Sequence, residues 1–241
     1  MNGIRISKLL SARGVCSRRE ADHFLEMGWV RVDGRKALLG ERVEESAQIE
    51  LSDQAQKALT IQHTFLLNKP VGYVSNLPEN NYKEAVELLT VENRDARDSG
   101  PLVDPRKLAG IAAAGRLDID SQGLIVFTQN GRIAKQLIGE ETKIEKEYLV
   151  RVEGKLSAEN LKLLQYGLSL DDKKLKACKV EWINDDQLKF VLMEGKKRQV
   201  RRMCELVGLR VTGLKRVRIG KVMLGSLPEG KWRLLKPDES F

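Results

Sequence analysis

Apolar and polar positions divide the chain into a short, arginine-studded head and a longer mixed body. In the head, Ile6, Leu9 and Leu10 form a short apolar stripe. Ser17-Arg18-Arg19-Glu20 is a capping box, with a hydroxyl at the N-cap and a carboxylate three residues on. The helix it opens carries Ala21, Phe24 and Leu25 on one face and ends before Gly28. Trp29-Val30-Arg31-Val32 alternates as a strand, and Asp33-Gly34 is a hairpin turn leading into Arg35-Lys36-Ala37-Leu38. Residues 52–62 are polar and read as a linker.

The body opens with the strand pattern His63-Thr64-Phe65-Leu66-Leu67-Asn68, ending at Lys69-Pro70. Residues 76–110 are rich in Asn, Glu, Asp, Pro and Gly and read as an elaborated surface loop. They hold one short helical pattern around Ala85, Val86, Leu88 and Leu89. Leu124 to Thr128 is a buried strand, and Glu147 to Val152 alternates with Tyr148, Val150 and Val152 on one face. Ser157 caps a helix through Leu161 and Leu164 to Gly167, and Leu188 to Met193 is a further strand. Val200, Met203, Cys204 and Val207 share the apolar face of a helix whose Arg201, Arg202 and Glu205 lie off it. Arg216-Val217-Arg218-Ile219 alternates again. Strands mixed with helices, without a regular βαβ rhythm, predict an α+β fold.

The composition narrows the classes. A chain of 241 residues suits one or two domains, and 41% hydrophobic residues supply a core. Apolar runs such as Leu124-Ile125-Val126-Phe127 are far shorter than the roughly 18 residues of a bilayer span, so no membrane helix is expected. Met1-Asn2-Gly3-Ile4-Arg5 has no apolar signal segment. Three scattered cysteines (Cys16, Cys178, Cys204) and two histidines (His23, His63) argue against a disulfide scaffold, a zinc ribbon or a Ser-His-Asp site. A reducing cytoplasm is the expected location. No phosphate-binding P-loop, no Gly-x-Gly-x-x-Gly after a strand and no metal-ligand spacing is present, so neither cofactor nor metal is expected.

Charge changes the picture more. The net is +8, yet residues 1–36 hold eight Lys/Arg against four acids, and residues 195–221 hold ten against Glu205 alone. The remainder of the chain is therefore net −5. Uniform basicity would not leave it acidic. Two basic islands predict a bipartite polyanion contact. Candidate contacts are Arg13, Arg18, Arg19 and Lys36 in the head, with Arg198, Arg202, Lys215, Arg216 and Arg218 in the body.

Gly115-Arg116-Leu117-Asp118-Ile119-Asp120-Ser121-Gln122-Gly123-Leu124 is glycine-bounded, polar and runs into a buried strand. A carboxylate on such a turn suits a nucleophile or a base, with an ordinary Asx turn as the alternative. This stretch resembles the central motif of the pseudouridine synthases. Leu67-Asn68-Lys69-Pro70-Val71-Gly72-Tyr73-Val74-Ser75 is similar to the family's first motif, Lys146-Glu147-Tyr148-Leu149-Val150 to its tyrosine motif, and Gly195 through Met203 to its arginine motif. The head, Ile4 through Gly34, resembles the small αL-type RNA-binding domain of a ribosomal small-subunit protein. Head plus body resembles the RsuA/RluF branch of ribosomal RNA pseudouridine synthases, along essentially the whole chain. Gln199 through Glu205 and Leu227 through Arg233 look closest to the large-subunit RluF type.

The resemblance implies an αL-type RNA-binding domain with linker over residues 1–60. Residues 61–241 would form a catalytic domain with a mixed, mainly antiparallel sheet and flanking helices. It implies Asp118 as the essential carboxylate, which adds to the uracil or attacks the anomeric carbon; both routes stay open. Arg201 matches the arginine paired with that carboxylate, against a phosphate contact as the alternative. Tyr148 matches the ring that stacks on an extruded uracil, against core packing. Arg116 is a candidate to hold the flipped nucleotide or its phosphate, and Lys69 a cleft-wall residue. Ribosomal RNA is the expected substrate, with transfer RNA as the other target, and the chain is expected to be a monomer. Two departures stand out. Ser7 occupies a position often Asp or Asn, and the 76–110 segment is longer than usual, which bears on substrate preference. A non-catalytic RNA-binding or ribosome-assembly factor on the same scaffold is the competing class. The presence of Asp118, Tyr148 and Arg201 together favours the enzyme.

Overall fold

In the head the capping box forms. The Ser17 hydroxyl accepts the Glu20 N–H at 3.2 Å, and the Glu20 carboxylate accepts the Ser17 N–H at 2.7 Å. These bonds start α2 (Arg18–Glu26), which packs on α1 (Ile6–Ala12). β1 (Val30–Val32) turns into β2 (Arg35–Lys36) through Asp33 and Gly34, whose φ values of 47° and 78° make the tight hairpin the Asp-Gly pair predicts. β3 (Ile49–Leu51) completes a three-stranded sheet of order β2-β1-β3. Ile6, Leu10, Phe24, Leu25, Val30 and Val32 fill the head core. The computed structural model describes residues 3–76, 81–139 and 142–241.

The segment 52–62, expected as a linker, is instead helical over α3 (Asp53–Thr60). Ser52 caps it by accepting the Ala55 N–H, while Ala55 and Leu59 pack against the head core. Polar composition hid a cap and one narrow apolar face. The head also touches the body directly. The Gln62 amide donates to the Glu20 carboxylate, and Gly131 lies against Ser17 so closely that a Cβ there would sit 2.1 Å from the Ser17 Cβ.

The body is built on a nine-stranded sheet. Its chain-order elements are β4 (Thr64–Lys69), β5 (Gln122–Thr128), α4 (Gly131–Ile138), β6 (Lys146–Glu153), α5 (Ala158–Gln165), β7 (Lys179–Asn184), β8 (Gln187–Leu192), α6 (Gln199–Leu206), β9 (Arg210–Ile219) and β10 (Trp232–Leu234). The spatial order is β7-β8-β6-β9-β5-β4-β10, with Ala112–Ala113 added to β5 and Val222–Met223 to β9. Every pairing is antiparallel except β9 with β5, where Arg216 runs parallel opposite Gly123. This is the mixed, mainly antiparallel α+β body expected from the sequence.

Apolar side chains cover both faces. Phe65, Leu67, Ile125, Phe127, Val150 and Phe190 pack with Met203 and Cys204 of α6. Leu66, Leu124, Val126, Leu137 and Ile219 form the core on the other face. That is why β4 and β5 read as unbroken apolar runs. The 76–110 segment is a surface excursion with 3-10 turns at Ala85–Leu88, Val91–Asn93 and Pro105–Lys107; residues 77–80 lie outside the described residues. It is tied down. Trp232 donates its indole N–H to Thr90 O at 2.7 Å, and Arg94 donates to Asp98 and to Gly100 O.

At the parallel junction Gly123 has φ +109°, and a Cβ there would lie 2.3 Å from the Arg216 carbonyl oxygen. Gly123→Ala should therefore cost about 3 kcal/mol or more. Gly110→Ala, at φ +77° in open space, should cost only about 1 kcal/mol. Urea midpoints of the two variants measure the difference between backbone clash and conformational strain.

Candidate active site

The loop from Gly115 to Ser121 leaves the Ala112–Ala113 strand and enters β5 beside β9. Three contacts hold its backbone. The Ser75 hydroxyl accepts the Leu117 N–H at 2.8 Å and donates to Leu117 O at 2.7 Å. Gly72 N–H donates to Ile119 O at 2.8 Å. Arg216 reaches under the loop, with Nε donating to Leu124 O at 2.7 Å and Nη1 to Arg116 O at 3.2 Å. The first motif, the central motif and β9 thus meet at one point.

Asp118 is held in this loop at the wall of a cleft of about 800 Å³. Among the described residues its carboxylate accepts no hydrogen bond and forms no ion pair. Asp120, two residues on, takes the arginines instead. Arg198 grips it with two bonds of 3.1 and 3.0 Å, and Arg201 places Nε 3.3 Å from its carboxylate and donates Nη2 to its backbone oxygen at 2.8 Å. Burial would raise the Asp120 carboxyl, but Arg198 and Arg201 together hold it below the usual carboxylate range. The structure therefore pairs Arg201 with Asp120, where the sequence resemblance had joined it to Asp118.

Tyr148 is buried on β6, opposite Arg216 of β9 and Phe190 of β8, and its ring lines the cleft. Arg116, also on the lining, is exposed. Lys69 is fully buried at the end of β4 and donates to Pro70 O and Tyr73 O, both at 2.8 Å. It thereby shapes the turn carrying Gly72 and Ser75. Burial pushes its ammonium down to about 8, against the pull of Asp120 and Asp118.

The RNA-contact candidates separate by environment. Arg18, Arg19 and Lys36 are exposed on the head. Arg13 is exposed too but donates to Glu45 O and Ala47 O, tying down the loop before β3. Arg202 is held by Asp171 at 2.9 and 2.6 Å, and Arg218 by Glu147 and Glu145 at 2.9 and 3.0 Å. Lys215 is half-buried on β9, and Arg216 points inward. Lys146, Lys176, Lys196 and Lys197 line the cleft as well and were not singled out from the sequence. For Lys146 a signal existed: two residues before Tyr148 on one strand, it shares that residue's face. Asp120 offered only its closeness to Asp118.

The RNA pseudouridylate synthase family matches residues 63–206, and the S4 domain family matches residues 4–49. The chain belongs to the RNA pseudouridylate synthase family. This synthase is 33% identical to the dual-specificity RNA pseudouridine synthase RluF of Escherichia coli K12, over 99% of its own length and 77% of that protein. It is 34% identical to an uncharacterised RNA pseudouridine synthase of Aquifex aeolicus, over 98% of this chain and 94% of that one. It is also 34% identical to the ribosomal large subunit pseudouridine synthase B of Salmonella typhi, over 95% and 78%. A crystal structure of a pseudouridylate synthase shares the fold, with a TM-score of 0.65 at 24% identity over 97% of this chain and 96% of that one. The synthase is an RluF-like isomerase carrying an S4 head.

Lys69 gives this synthase a pH signature. Unfolded, the side chain stays charged to about 10.5; folded, only to about 8. Between those values the unfolded state binds more protons, so stability rises with pH. Below about 8 the folded state carries the full cost of the buried charge. A neutral amine still fills both carbonyl bonds with its two N–H groups. Wild type should therefore gain stability relative to Lys69→Met between pH 8 and 10.5, read from urea midpoints. Parallel pH profiles would contradict this.

Proposed function

We propose that the enzyme converts a specific uridine of ribosomal RNA to pseudouridine, acting on the large subunit, with Asp118 as nucleophile on a flipped-out base. The observation that carries this reading is the Asp118 carboxylate. It is free of intramolecular partners among the described residues and stands in a cleft walled by Tyr148 and cations. The reaction breaks the bond from uracil N1 to the ribose and makes one from C5, with the C5 proton lost and N1 protonated. It is an internal rearrangement and consumes no donor. Burial pushes the thiols of Cys16 and Cys204 up to about 12 and that of Cys178 up to about 11, so none supplies a thiolate near neutrality. A carboxylate is left for the attack, on uracil or on ribose.

Reaching a stacked base costs a few kcal/mol, which a tyrosine platform and backbone contacts can offset. The Tyr148 ring suits the base, and the head supplies a second grip on the RNA. Free thiols fit a reducing cytoplasm. Transfer RNA is the alternative target. Mapping pseudouridines in total RNA from cells with and without the gene distinguishes the two.

Asp118→Asn preserves the size of the turn but removes the nucleophile. It should abolish pseudouridine formation while leaving RNA affinity within about twofold. Turnover within about tenfold of wild type would sink the assignment, since losing a covalent catalyst costs far more. Replacing Arg18, Arg19 and Lys36 together by Gln should reduce the slope of log affinity against log salt by roughly 0.7–0.9 for each phosphate no longer neutralised. An unchanged slope would mean that the head leaves the RNA backbone untouched.

A further inference from the structure

Three groups of the cleft have donors that neither the fold nor Asp118 employs. Arg216 is 3% exposed; its Nε and Nη1 serve backbone carbonyls, while its Nη2 is buried without a partner among the described residues. Ser121 is 1% exposed, and its hydroxyl is likewise buried without a partner. Lys146 is half-buried on the cleft wall and forms no ion pair with the described carboxylates. Three adjacent strands bring these groups to one end of the cleft. Lys146 and Tyr148 share a face of β6, Tyr148 sits opposite Arg216 of β9, and Arg216 sits opposite Gly123, two residues beyond Ser121.

We propose that Lys146, Arg216 and Ser121 form a binding site for a phosphodiester group flanking the target nucleotide. This rests on reading the cleft as a uridine site. Buried polar groups are nearly always satisfied, so orphaned donors on residues that line a cleft call for a ligand that brings acceptors. Partial burial first, and then the nearby positive charges of Arg216 and Lys176, lower the pKa of Lys146. Like charges drawn together in a partly desolvated wall are unfavourable until an anion enters between them. A neutral uracil carbonyl could fill the hydrogen bonds but would leave that repulsion in place. A phosphodiester supplies the negative charge and two acceptor oxygens, and the ribose links it to the base on the Tyr148 ring. The contact would fix the sugar beside Asp118.

The test uses the full chain and an RNA oligonucleotide containing the uridine found by mapping. The RNA is made with normal linkages, or with a neutral methylphosphonate at one or the other flanking linkage. Wild type should lose about tenfold or more in affinity at one of the two methylphosphonate positions. Lys146→Met should lose a similar factor on normal RNA, and the methylphosphonate should then cost it less than about twofold more. Lys146→Arg should restore most of the loss. Independent, multiplying losses would overturn the proposal, because uncoupled sites add in free energy. Unchanged wild-type affinity for both methylphosphonate RNAs, with Lys146→Met still impaired, would also overturn it and assign the site to a free anion or to the base. If Lys146→Met does not fold, Ser121→Ala goes through the same cycle with the same criteria. Failure of the underlying uridine reading looks different: wild type then forms no pseudouridine on any of these RNAs.

Discussion

The close approach of β9 to β5 at Gly123 and Arg216 governs everything around it. It is the parallel pairing within an otherwise antiparallel set, and no side chain fits at Gly123. With the backbones in contact, the Arg216 guanidinium lies beneath the loop that precedes β5 and bonds to carbonyls on both sides of it, at Arg116 and Leu124. Burying a guanidinium is costly unless its donors are used. Here two of its nitrogens stiffen the turn before β5, and the third is buried without a partner among the described residues. The same contact sets the spacing between the loop bearing Asp118 and the strand bearing Tyr148, since β9 lies between β5 and β6.

Two carboxylates two residues apart then divide their work. Asp120 absorbs Arg198 and Arg201, and so binds the loop to the start of α6. Arg198 itself sits at a left-handed φ of 52°, a conformation that costs a non-glycine residue of order 1 kcal/mol and persists only where surroundings impose it. The two-pronged grip on Asp120 is such a constraint. Because Arg198 and Arg201 both turn to Asp120, Asp118 is left without a side-chain partner among the described residues.

How far the sequence could be read follows from how local each feature is. The Ser17 capping box, the Asp33-Gly34 hairpin, the alternation of Tyr148, Val150 and Val152, and the stripe of α6 are all decided within a turn or two. All were legible. The α3 helix was missed because its stabilisation comes from one cap and from packing against a distant core. β7 was missed because it is an edge strand, exposed at five of its six positions, with no two-sided burial to imprint a pattern. The central motif identified the loop of Asp118. It said nothing about which of two neighbouring carboxylates an arginine 81 residues from Asp120 would choose, because that depends on how α6 docks over the loop.

Charge illustrates the same limit and resolves it. Counted along the chain, residues 195–221 form a uniform basic island. In three dimensions the acids of the remainder are placed against particular members of it: Asp171 against Arg202, Glu153 against Arg210, Glu145 and Glu147 against Arg218, Asp120 against Arg198 and Arg201. Of these pairs, those of Arg202 and Arg210 are solvent-exposed and add little stability. The larger effect of the set is to mask positive charge away from the cleft and to orient arginines at its edge. Within the island, Lys196, Lys197, Lys215, Arg216 and Lys221 remain without a carboxylate among the described residues, and Lys196, Lys197 and Arg216 of these line the cleft together with Lys146 and Lys176. A polyanion approaching the body therefore meets a field concentrated by subtraction. The acidic remainder of the chain helps to define the binding surface by cancelling the cations that lie elsewhere.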